Sequence, residues 1–124
     1  MTDDRLDRAK RLYERAVFSG DTDALPTAER ELDGVEADLA LARGRLIHAR
    51  FLAEHLEDPN ELVLFERAAE QYHRLGDVAG EAESLFWIGT FHQVVRDDAA
   101  LALPALQRAY ELAARLRRVR PPCE

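Results

Sequence analysis

The sequence predicts an all-α protein of six helices arranged as three stacked antiparallel hairpins. Three observations carry that expectation. Apolar residues recur every three or four positions along nearly the whole chain, no β-alternating run of strand length interrupts them, and one short phrase is repeated. The phrase is Phe65-Glu66-Arg67-Ala68-Ala69-Glu70, then Leu106-Gln107-Arg108-Ala109-Tyr110-Glu111, with Ala28-Glu29-Arg30-Glu31-Leu32-Asp33 a weaker copy. The copies start 37 and 41 residues apart, the period of a stacked helix-pair repeat.

The first helix spans 3–18, where Leu6, Ala9, Leu12, Tyr13, Ala16 and Val17 form one apolar stripe among charged residues. Ser19-Gly20-Asp21-Thr22 ends it, because Gly tolerates the left-handed C-terminal conformation and Asp or Thr can cap the next helix. A second helix is expected over 23–33, with Pro26 in its first turn, and Gly34 is expected to break or sharply turn the chain. The third, 35–56, carries Leu39, Ala42, Leu46, Ala49, Leu52, Ala53 and Leu56. Asp58, Pro59 and Glu61 then read as N-cap, first helical position and capping-box acid of a fourth helix that Gly76 stops.

Asp77 caps a fifth helix over 78–96, which holds the bulkiest cluster, Leu85, Phe86, Trp87, Ile88 and Phe91. Gly44 and Gly89 lie inside helices three and five. An interior Gly costs about 1 kcal/mol relative to Ala, so two at corresponding places point to close helix crossings that a side chain would block. Asp97-Asp98 opens a sixth helix to about residue 119, with Pro104 as an internal kink or a delayed start. The expected organisation is a single helical domain over 1–119, with hairpins at about 3–33, 36–75 and 78–119, and a flexible tail over 120–124.

Composition narrows the function classes. With 124 residues, 47% hydrophobic and 33% charged, the chain has the make-up of a soluble globular protein. Its net charge of -7, from 24 acidic and 17 basic side chains, sets a field that repels nucleic acid and anionic membrane. All the basic residues except Lys10 are Arg, which together with abundant Ala, Leu and Val is the codon usage of a GC-rich bacterial genome. The single Cys123 permits no intramolecular disulfide, so a reducing, cytoplasmic setting is expected. No apolar leader precedes the first helix and no apolar run reaches about 18 residues, so neither export by a signal peptide nor a membrane span is expected.

The residues resemble a tetratricopeptide repeat protein over nearly the whole chain, as three atypical repeats. Leu85, Ile88, Gly89 and Phe91 or His92 are similar to the large, Leu, Gly and Tyr positions of the repeat's first helix. Ala102, Leu106 and Ala109 are similar to the small, aromatic and small positions of its second. Phe65 and Ala68 match in the preceding repeat, whereas Glu61 stands where a small Ala is usual. The spacing exceeds the usual length, and the Pro that closes a repeat is absent. The resemblance implies a right-handed α-solenoid whose first helices line a concave groove for a peptide or partner protein. Carried over, that groove would take Lys10, Glu14 and Val17 from helix one, Arg45 and His48 from helix three with Arg43 and Arg50 as register alternatives, and Phe86, Thr90 and Gln93 from helix five. Arg and His there would suit an acidic segment. The Lys and Asn set that clamps a C-terminal carboxylate in some members is missing.

Sharper chemistry finds little footing. His48, His55, His73 and His92 lack the three- or four-residue spacing that converges zinc ligands on a helix. Ser19, Ser84 and Cys123 sit in no nucleophile motif, and no phosphate loop is present, so no enzyme activity and no cofactor are expected. Carboxylates stand three or four residues from Arg, as in Asp4 with Arg8 and Glu111 with Arg115, the pattern of a solvated helix face. Arg115, Arg117, Arg118 and Arg120 complement the dipole of the last helix. That helix is apolar on more than one side, and a terminal repeat normally turns a polar face outward. The expectation is either a homodimer, through Leu101, Leu106, Tyr110, Leu112 and Leu116, or a piece of a longer array, with the dimer as the commonest closed solution.

Overall fold

The computed structural model describes residues 3–119. Over that span the chain forms five α-helices and one π-helical turn, with no strand: α1 (Asp4–Phe18), α2 (Ala24–Glu54), α3 (Asn60–Leu75), α4 (Val78–Thr90), the π turn (Phe91–Val95) and α5 (Ala99–Val119). The expected tail over 120–124, with Arg120 and Cys123, lies outside the described residues. Each helix packs mainly on its neighbours in the chain, which is how short connections arrange successive helices.

Local chemistry sets most boundaries. Asp3 caps α1, its carboxylate accepting the Arg5 N–H at 2.8 Å, and the Arg5 guanidinium beside it holds that carboxyl down at about 2. Gly20 and Gly76 take the left-handed conformation, φ +71° and +73°, after α1 and α3. Asp58 accepts the Asn60 N–H, Asp77 accepts the Gly80 N–H and Asp98 accepts the Leu101 N–H, so an aspartate opens each of α3, α4 and α5. α5 runs through Pro104 from a start at Ala99.

The expected break at Gly34 is absent, and helices two and three are one 31-residue helix, α2, about 46 Å long. The reason is tertiary. Arg5 of α1 crosses α2 at Gly34, where a Cβ would stand 3.3 Å from its Nη1, and reaches Asp38 at 2.6 Å. The Tyr72 hydroxyl of α3 donates to the same Asp38 carboxylate. Gly34 thus leaves room for a guanidinium, and a cross-link among three helices holds the segment that propensity alone would loosen. Nothing after Gly34 supplies a cap or turn residue that could compete.

Ion pairs also differ from the expected same-helix pattern. Arg8 pairs with Glu31 of α2 at 3.0 Å, not with Asp4. Arg45 pairs with Glu83 of α4 at 2.9 Å, and Arg96 pairs with Glu57 at 2.7 Å. The first joins successive helices, the second spans α2 to α4, and the third ties together two connecting segments; in each the long Arg stem lets the charged head stay wet. Among the described residues only Arg108–Glu111, at 3.5 Å, is an i,i+3 pair.

The core lies where the middle of α2 meets α3 and α4. Ala37, Ala40 and Leu41 pack against Phe65, Ala68 and Tyr72, with Leu64, Trp87 and Ile88 closing over them. Gly44 and Gly89 play the parts expected of them. A Cβ on Gly44 would come 2.5 Å from the Phe65 ring, and one on Gly89 would come 2.5 Å from Leu106. Phe65 and Leu106 are the corresponding residues of the repeated phrase, so the α2–α3 and α4–α5 hairpins share one crossing. Their sequence separations differ by four residues, about one helical turn. A third close crossing, Gly80 of α4 beneath the Tyr72 ring, has no counterpart in the expectations from sequence.

Candidate functional site

The junction of α2, α3 and α4 contains the protein's one buried ionisable pair among the described residues. His48 and Glu61 are 6% and 1% exposed, and Nδ1 of the imidazole lies 2.8 Å from Oε2 of the carboxyl. Trp87 meets the imidazole edge-on at 5.6 Å and stacks on Phe65 at 5.8 Å. Glu61 is therefore turned inward, not back along α3 as a capping-box residue. Burial pushes its carboxyl above the ordinary value, against the opposing pull of the His48 hydrogen bond. His48, expected to line an open groove, is sealed inside with it. The pair thus joins α2 to α3, with Trp87 of α4 packed against its imidazole.

That environment has a pH consequence. The folded protein holds the Glu61 proton to higher pH than the unfolded chain, whose value is near 4.5. The stability that Glu61 contributes is full below that pH and declines as the pH rises through the raised value. Glu61→Gln removes the titration while keeping a hydrogen-bond partner for His48. The melting temperature of the wild type relative to Glu61→Gln is expected to fall as the pH rises above about 4.5; a constant difference would place the carboxyl at its ordinary value.

The remaining expected groove residues divide among several surfaces. Arg45 faces α4 but is engaged by Glu83. Phe86, 48% exposed, stands edge-on to Trp87. Thr90 donates its hydroxyl to the Phe86 carbonyl within its own helix, and Gln93 is exposed on the π turn. Lys10, Glu14 and Val17 are exposed on α1, which packs on α2 and not beside α4. Arg43 and Arg50 open instead into a trough between α2 and α3, of about 400 Å³, with Arg67 and an apolar floor that includes Leu46 and Leu64.

A second groove, about 360 Å³, runs between α4 and α5 and is almost entirely apolar, with Ala82, Leu106, Ala109 and Ala113 as its floor and Phe86 and Tyr110 at its rim. Of the five residues expected at a dimer interface, Tyr110, 69% exposed, faces this groove, and Leu106 lies in its floor. Leu112 is 1% exposed and belongs to the core, because it lies on the side of α5 that the preceding elements cover and not on the outer one. Leu101 is exposed but lies outside the groove, and Leu116 is half-buried.

Ser84 is buried and donates to the Gly80 carbonyl at 2.9 Å. His73 bonds Glu81 at 3.1 Å, His55 ends α2 in the left-handed conformation, and His92 lies in the π turn. Among the described residues no three His, Cys, Asp or Glu side chains converge as a metal site, and no helix is long and apolar enough to cross a membrane. The signal missed in the sequence is Glu61: an acid in the first turn of α3, with a histidine on the facing helix.

No protein-family model, no curated protein and no solved structure matches this chain.

Proposed function

We propose that this chain is a non-enzymatic protein-interaction scaffold, a tetratricopeptide-like array of helix hairpins that self-associates through its α4–α5 groove. The observation that carries this reading is the groove itself: an alanine-lined apolar floor beside two large exposed aromatic rings, Phe86 and Tyr110. A single surface that offers both knobs and holes is self-complementary, which is what a two-fold symmetric interface requires. The shared Gly44–Phe65 and Gly89–Leu106 crossings support the repeat reading. They also bear on the groove, since the corresponding face of α3 is covered by α4 while that of α5 is bare among the described residues. Charges at the rim do not oppose docking, because Glu83 is paired with Arg45 and Arg117 lies over the Tyr110 ring at 5.7 Å. The lone Cys123 supports a reducing, cytoplasmic setting.

A sensory domain that encloses a small molecule would join Phe86, Trp87 and His48 in one pocket. The α4–α5 groove takes in Phe86 without the other two, which favours the scaffold.

The test is solution mass by light scattering in reducing buffer. The wild type is expected to run as a dimer and Tyr110→Asp as a monomer with unchanged helicity, since that side chain supports no buried contact. A wild type that stays monomeric up to about 100 μM would overturn self-association. Leu106→Asp cannot serve alone, because Leu106 lies against Gly89 and its loss would disturb the fold.

A further inference from the structure

We infer that the trough between α2 and α3 is a second, independent binding site, and that its ligand is an acidic amphipathic helix of a partner protein. Arg43 and Arg50 are seven residues apart on α2, so they project from the same face about 10.5 Å from one another. Arg67 faces them from α3. Among the described residues none of these three guanidiniums has a carboxylate within ion-pair distance, whereas Arg5, Arg8, Arg15, Arg45, Arg96 and Arg108 each do. In a chain of net charge -7, carboxylates are plentiful. Three such cations gather on one trough.

The shape and lining choose among anions. The floor between the cations is apolar, with Leu46 70% exposed and Ile47 and Val63 beside it. A free inorganic anion would leave that surface wet, whereas an amphipathic segment covers it. No aromatic ring lines the trough for base stacking, and the overall charge repels a polyphosphate backbone, so nucleic acid is disfavoured. The trough continues along α2 past Leu39 and Ala40 to Glu36, whose carboxylate is held by the Gln71 amide at 3.2 Å. From Glu36 to Arg50 is about 21 Å of helix rise, enough to seat about four turns of a docked helix. Glu36 gives the site a direction: carboxylates spaced i,i+7 on the ligand belong at the Arg43 and Arg50 end, and a neutral or basic residue belongs at the other. Apolar side chains of the ligand would sit on Leu46, Ile47 and Val63 while its flanking acids make charge-assisted contacts with the guanidiniums.

The experiment uses a fluorescein-labelled, end-capped peptide of about 15 residues with Leu and Ala along one face and Glu flanking it, and a control with Lys in place of every Glu. Anisotropy titration of the full chain at about 50 mM salt is expected to show saturable binding of the Glu peptide only, weakening as salt rises. Arg43→Ala, Arg50→Ala and Arg67→Ala are each expected to weaken it about tenfold. Arg74→Ala, an exposed position of α3 outside the trough, should leave it unchanged, and Tyr110→Asp should also leave it unchanged because the α4–α5 groove is separate. The inference is overturned if the Glu peptide does not bind, if the Lys peptide binds equally, if the three Arg variants bind like the wild type, or if single-stranded DNA of matching charge competes as well as the peptide.

Discussion

Phe65→Ala is expected to destabilise the protein by about 3–5 kcal/mol, a large share of the roughly 5–15 kcal/mol that holds a domain of this size folded. Phe65 is wholly buried, its ring sits directly over Gly44, and it stacks on Trp87. Truncation would therefore remove the contact between α2 and α3 and also the platform on which α4 rests. The absence of a side chain at Gly44 leaves that wall of the site unable to collapse into the space, which pushes the cost toward the upper end. Urea unfolding monitored by circular dichroism checks it, and a loss below about 1 kcal/mol would mean that the junction is not the main core.

His48→Leu is expected to cost about 3–5 kcal/mol at neutral pH, because it leaves the Glu61 carboxylate buried without its partner. The cost should depend on pH in a defined direction. Without the imidazole, the folded protein can keep Glu61 only as the neutral acid, and holding that proton costs about 1.4 kcal/mol per pH unit above the unfolded value. The destabilisation measured by urea unfolding should be smaller at pH 5 than at pH 7. A double replacement, His48→Leu with Glu61→Leu, should lose less than the two single changes summed, since it removes both the charge and the need to pair it. Equal losses at both pH values would show that removing the imidazole leaves the titration of Glu61 unchanged.

Much of the fold is legible in the sequence because it rests on local rules. The capping aspartates Asp58, Asp77 and Asp98, the left-handed Gly20 and Gly76, and the apolar stripes each act through a few neighbouring residues, so pattern and outcome coincide. The interior glycines are legible for a different reason: Gly44 and Gly89 violate helix propensity, and a violation of that kind signals a partner that needs the space. Gly34 breaks the same rule yet reads as a turn, because a glycine that admits an arginine from another helix looks in sequence the same as one that ends a helix.

The candidate surfaces are only partly legible. Arg43, Arg50, Phe86 and Tyr110 read as surface groups, and they are exposed, but they belong to two grooves on different helix pairs. Residues two positions apart on a helix lie about 200° apart around its axis, so Arg43 and Arg45 meet different neighbours, one the α2–α3 trough and the other Glu83 of α4. Leu112 misleads for the same reason, since an apolar residue on a helix with two apolar sides carries no mark of which side is covered. Arg67 lies in the repeated phrase, and nothing in that phrase distinguishes it from Arg108, which pairs with Glu111.

By itself the sequence determined that the chain is helical, where most helices begin and end, that Gly44 and Gly89 sit at crossings, and the acidic balance of the whole. Those properties follow from backbone geometry, capping and composition, all of them short-range or summed over the chain. Only the tertiary structure decided that α2 runs unbroken through Gly34, that Glu61 turns inward to His48, and that three arginines gather along one trough. Each of these depends on which side chain arrives from a distant helix, and burial and pairing energies of several kcal/mol then outweigh the local preferences of about 1 kcal/mol or less that the sequence displays.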